Sequence, residues 1–223
     1  MNSENFVPFN KSVNSTRVLV TMLGIFLSIA GSIHGYFEVL QGNKSTNGIL
    51  IQAIGKDYQN WEYGGEEAIT IIPNFLITGL ITITISIILL FWTLFFIHKN
   101  YGSSVFLLLN ILSFLTGGGI FQVVIFTLAW IFSTRINRSL DWWENKLSKT
   151  TRNKIKNYWF ILGILGFIPF LIVQEIGIFG YFPSVSDPEI IMNFVMILLM
   201  ISLLLYIFAF ICSIAFEIDK RQT

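Results

Sequence analysis

Long apolar runs separated by short polar stretches leave this chain few ways to fold. They lie at about 18–40, 71–98, 103–134, 158–182 and 188–216. A helix needs about 20 mostly apolar residues to cross the hydrocarbon of a bilayer. Peptide groups in lipid must be satisfied within the protein, which leaves helices or closed barrels as spanning structures. Composition points the same way. Hydrophobic residues make up 54% of the chain and charged residues 12%, against about 25% charged in a soluble domain. The pattern predicts an all-α, polytopic transmembrane helix bundle, multi-pass in the cell membrane, with residues 1–223 as one membrane domain.

The region from Ser103 to Ser133 is too long for one simple span and short for two. Gly117-Gly118-Gly119 divides it, and three glycines favour a turn or break. It is either one broken span or a hairpin of short arms, about 103–116 and 120–134, that cross or re-enter. Lys and Arg concentrate on the cytoplasmic side of membrane proteins. A hairpin keeps Lys99 with Arg135, Arg138, Lys146, Lys149, Arg152, Lys154 and Lys156, and all of these with Lys11, Arg17, Lys220 and Arg221. Only Lys44 and Lys56 then lie outside. The charges therefore favour about six spans with both termini inside, an outer loop at 41–70 and a basic cytoplasmic linker at 135–157.

Local signals refine this layout. Ser28-Ile29-Ala30 resembles a leader cleavage site, but the apolar run continues past it, so the first segment is expected to remain as a span. Pro73 is expected in the first turn of the second span. Asp187, Pro188 and Glu189 read as cap, first position and first turn of the last helix. Pro169 should interrupt one helix hydrogen bond. In the linker, Leu140, Trp143 and Leu147 recur among basic residues. This predicts either an amphipathic helix at the membrane surface, with Trp142, Trp143, Lys146 and Lys149 at headgroup depth, or a solvated connector.

The first span carries the main candidate site. Gly24, Ser28, Gly31 and Gly35 share one helix face, a small-residue stripe that admits a second helix at close range. His34, Glu38 and Gln41 follow the same spacing on an adjoining face. At this spacing His34 and Glu38 can form a hydrogen-bonded pair one turn apart. Ionisable groups in a span usually face a cavity or a partner. Alternatively, both sit wetted at the outer interface. Gln174, Glu175, Asn74, Asn110 and Gln122 are candidates to share a polar cavity with them, as are Thr78, Thr82 and Ser86, which step down the second span, and Asn193 in the last.

Several chemistries lack their residues. The sequence has one cysteine, two histidines, no CxxC, no HExxH, no GxSxG and no Walker loop. No metal site or cofactor is expected, since structural and catalytic metal sites normally need three or four ligands. Glu66-Glu67 is similar to the paired glutamates of intramembrane prenyl-protein proteases, but the arginine expected downstream is missing. Asn43-Lys44-Ser45 fits a glycosylation sequon, meaningful only in a eukaryotic secretory cell.

The block GSIHGYFEVLQGN, EEAITIIPNFLITG and GGGIFQVVIFTLAWIFSTRIN resembles small multi-span prokaryotic membrane proteins of unknown function. It covers a little over half the chain and implies a polytopic fold, with no activity attached. Two functions follow as expectations. One is a small transporter or channel-like protein for a proton, cation or small solute. The other is a non-catalytic membrane subunit, scaffold or assembly factor that docks a partner helix or a second copy through the stripe. An enzyme acting on lipid has no nucleophile in its favour, and nothing points to nucleic acid.

Overall fold

A computed structural model describes residues 14–222; Lys11 lies outside the described residues. The described residues are mostly helical, at 71%. In order it forms α1 (Ser15–Gln41), β1 (Leu50–Gln52), β2 (Glu67–Thr70), α2 (Phe75–Phe95), α3 (Gly102–Leu115), β3 (Thr116–Gly119), α4 (Gln122–Ser133), α5 (Asp141–Lys146), α6 (Lys149–Ile155), α7 (Trp159–Phe179) and α8 (Pro188–Gln222). Among the described residues, four helical stretches are long and apolar enough to cross a membrane: α1, α2, α8, and α7 with the α6 turn that leads into it. The 14-residue α3 and 12-residue α4 are too short to do so as helices alone.

The helix starts have local causes. Asn14 caps α1 by accepting from the Arg17 amide, and Asn74 caps α2 by accepting from the Ile77 amide. Pro73 therefore lies just before the cap rather than in the first turn. Asp187 accepts from the Glu189 amide at 2.9 Å, so α8 begins as the Asp-Pro-Glu order predicts.

α1 is the central helix, and α2 packs along its small-residue stripe. Thr93 lies against Gly24, Ser86 against Gly31, and the Gly79 carbonyl against Gly35. The stripe is thus occupied within the chain. On α2 the polar side chains Thr78, Thr82, Ser86 and Thr93 are buried, while Ile77, Leu80, Ile87, Ile88, Phe91 and Phe95 are exposed. Polar groups inward and apolar groups outward is the arrangement lipid favours. α7 and α8 form a second close pair at Gly166, whose carbonyl accepts from Ser202. Phe132 of α4 stacks on Phe210 of α8 at 4.1 Å, joining the hairpin to that pair.

The glycine region is a hairpin, since both arms open at the same end of the bundle. There Asn137, after α4, donates to the His98 carbonyl before α3 at 2.6 Å. At this basic end Glu217 of α8 accepts from the Ser15 amide at 2.7 Å and the Ser15 hydroxyl at 2.8 Å. Lys156 pairs with Asp219 at 2.6 Å. The linker is two short helices rather than one amphipathic helix. Trp142 is 61% exposed, whereas Trp143 packs on Phe132, and Lys146 and Lys149 are exposed.

The tip of the hairpin is extended, not a tight turn. β3 joins a three-stranded antiparallel sheet in the order β1-β2-β3, with Leu50 opposite Ile69, Ile51 opposite Ala68, and Ala68 opposite Gly119. The segment expected as an open loop is therefore ordered into a small cap, which sits over the end of α1 that bears His34 and Glu38.

Candidate functional site

The polar face of α1 is sealed by the glycine strand. A Cβ at Gly117 would overlap the Glu38 carboxylate, and one at Gly119 would lie 2.6 Å from His34 Cε1. Gly117 also has φ of +116°, a conformation L side chains rarely adopt. Strand and helix therefore touch only because these positions lack side chains. Thr78 and Thr82 of α2 hold the strand from the other side, both donating to the Thr116 carbonyl.

His34 is 3% exposed and Glu38 is fully buried, so neither sits wetted at a surface. They do not form the hydrogen bond that their spacing allows. Both Glu38 oxygens lack a hydrogen-bond partner among the described residues. His34 Nε2 pairs instead with Glu66 Oε2, from the residue that precedes β2. A buried carboxylate without a hydrogen bond is costly. Two states relieve it: a proton on Glu38, or positive charge on the adjacent His34.

Glu66 belongs to the cap and is 43% exposed along its side chain while its carboxyl meets His34. Partial burial works to raise its affinity for a proton. The charge of His34 and the hydrogen bond to it outweigh this and hold the Glu66 carboxyl below its ordinary value of 4.5.

Beside the pair lies a cavity of about 470 Å³ between α1, α4, α7, α8 and the cap. Its deep part is apolar, with Phe26, Ala30, Ile125, Val195, Met196 and Leu199. Its upper part is polar, with Gln52, Gln59, Glu62, Glu66, Glu67, Gln122 and Gln174, and with the Trp61 and Tyr63 rings. Phe26 is about 22 Å along α1 from the helix end at Gln41, so the cavity passes the midpoint of that helix. Trp61 anchors the cap across it, donating from Nε1 to the Gly177 carbonyl at 2.8 Å, and Asn60 donates to the Ile178 carbonyl at 3.0 Å.

Of the expected lining residues, His34, Gln122 and Gln174 meet at this cavity, and Glu38 lies next to His34 under Gly117. The others are elsewhere. Glu175 is exposed on the outer face of α7, and Asn193 is exposed on α8. Gln41 donates to the Ala53 carbonyl at 2.9 Å and ties the cap to α1. Asn74 caps α2 and donates to Asn43 at 2.7 Å. Asn110 donates to the Phe106 carbonyl within its own helix at 2.8 Å. Sequence reasoning missed Glu66 as the partner of His34, and missed Glu62 and Glu67 at the mouth. The available signal was a loop rich in carboxylate and aromatic residues next to a span with an unpaired histidine.

Among the described residues no group of three His, Cys, Asp or Glu could hold a metal ion. No family model, curated protein or solved structure matches this chain.

Proposed function

We propose that this chain is a multi-pass membrane protein of the small-transporter type, which receives a solute from the outer side in the cavity beside His34. The observation that carries this reading is the depth of the cavity. It runs past the middle of α1 from the cap end, with a titratable pair in its wall, while Leu19, Val20 and Leu23 of α1 below it are buried members of the hydrophobic core. We read a cavity lined at the cap by the exposed Glu62 and Glu67 and deeper by Phe26 and Leu199 as that of a carrier facing the outer side. His34, Glu66 and Glu38 supply the proton or charge that accompanies the solute.

The sidedness follows from charge. Arg17, Lys99, Arg135, Lys156, Lys220 and Arg221 lie at the end away from the cap, which carries Lys44 and Lys56. That asymmetry supports an outer cap, cytoplasmic termini and six membrane-embedded helices, two of them the hairpin arms. Docking of a partner helix or second copy through Gly24, Ser28, Gly31 and Gly35 is not favoured, because α2 covers that stripe.

Proteoliposomes holding the purified protein and an internal pH dye test the reading. An imposed potassium diffusion potential should drive proton entry, and both Glu38→Gln and Glu66→Gln should abolish it. Entry at the wild-type rate in both variants, with normal insertion, would remove these carboxylates from the mechanism.

A further inference from the structure

The cavity joins two chemistries that together select a class of occupant, an inference that rests on reading the cavity as a solute site. Its deep part is built from Phe26, Ile125, Val195 and Leu199, with Met192 and Met196 beside them. Methionine side chains are flexible and polarizable, and adapt to ligands of varied shape. Its mouth carries three carboxylates, Glu62, Glu66 and Glu67, with Trp61 and Tyr63 beside them. None of the described residues that line it is Lys or Arg, and its one histidine is engaged by Glu66.

Charge decides between occupants. An anion would meet the carboxylates of Glu62 and Glu67 at the mouth, with no lining Lys or Arg to offset them and with His34 already engaged by Glu66. A small inorganic cation is strongly hydrated and gains nothing from an apolar chamber. A neutral apolar molecule would gain from the chamber and nothing from the rim. We propose that the cavity binds an amphiphilic organic cation, with an ammonium-type head among the rim carboxylates and the Trp61 and Tyr63 rings and an apolar body in the chamber. Aromatic faces attract such heads, and Trp61 is held rigidly for this by its bond to Gly177. The cavity volume of about 470 Å³ suits a small organic molecule.

The test uses three probes that differ chiefly in charge: trimethyl(4-phenylbutyl)ammonium, its uncharged analogue with carbon in place of nitrogen, and 4-phenylbutane sulfonate. Each is titrated calorimetrically into the full-length protein in dodecyl maltoside, with empty micelles subtracted. The ammonium probe should bind saturably and the other two much more weakly. The combined Glu62→Gln and Glu67→Gln variant should weaken it about tenfold or more, and Glu175→Gln should leave it unchanged. Binding of the uncharged probe or the sulfonate as tightly as the ammonium would overturn the cation assignment while leaving a solute cavity. Equal displacement by diheptanoyl phosphatidylcholine would overturn it in favour of a lipid headgroup. If no probe binds, or if Leu199→Trp, which fills the chamber, leaves binding intact in monodisperse protein, the solute cavity itself is refuted.

Discussion

Glu66 reaches His34 from the foot of β2, so that a strand of the cap is fastened to a histidine buried inside the first long helix. The cap is therefore part of the site and not merely a connector. Glu38, one turn further along α1, is the other carboxylate facing the same imidazole.

This pair should leave a pH signature. The Glu66 carboxyl is held below 4.5 in the folded protein. A depressed carboxylate contributes stability that is present above its unfolded value and lost as the pH falls through the folded one. Melting temperatures of wild type and Glu66→Gln in detergent should thus differ at about pH 6, and the difference should shrink as the pH falls below 4.5 and through the lowered folded value. A difference that persists unchanged into acid would mean that the ion pair is not what stabilises the cap.

The glycine strand is expected to tolerate no side chain. Gly117→Ala and Gly119→Ala would each push a methyl group into Glu38 or His34. Each should lower stability by about 1–3 kcal/mol, with the strained φ adding to the cost at Gly117. Gly177→Ala is the control, because nothing lies within 4 Å of a Cβ there and alanine is the better helix former. Thermal unfolding followed by tryptophan fluorescence would separate the two classes. Equal melting temperatures for all three would contradict the close approach of strand to helix.

The small-residue stripe should behave as an internal packing surface. A side chain at Gly35 would meet the Gly79 carbonyl at 2.7 Å and force α1 from α2. Gly35→Leu should destabilise the fold by about 1–3 kcal/mol or more without changing the oligomeric state of the protein that remains folded. Light scattering with size exclusion would detect the opposite result, a smaller assembly of undiminished stability, which would restore the stripe as a docking face.

What could be read in advance follows from the range of the interactions. α1, α2, α7 and α8 are continuous apolar runs, and length alone marks them. The cap is different. β1 has three residues, β2 has four, and β3 is Thr-Gly-Gly-Gly, which carries no strand signal. Its order comes from pairing between distant segments. Gln174 and Glu175 show a second limit. Depth along α7 was legible, but neighbouring residues point about 100° apart, and a helix that is apolar all round does not announce its inward face. His34 was legible as a group in need of a partner. Its true partner lay in a loop whose fold was not.

Sidedness of the cavity is the claim on which the rest depends. Cys212 is buried and can be replaced, after which single cysteines are placed at Glu62, on the exposed mouth, and at Lys149, on the exposed linker. A membrane-impermeant thiol reagent is then added to intact cells. Labelling at Glu62 and not at Lys149 until the cells are lysed is the expected result. Labelling of Lys149 from outside, or of Glu62 only after lysis, would contradict an outward-open cavity.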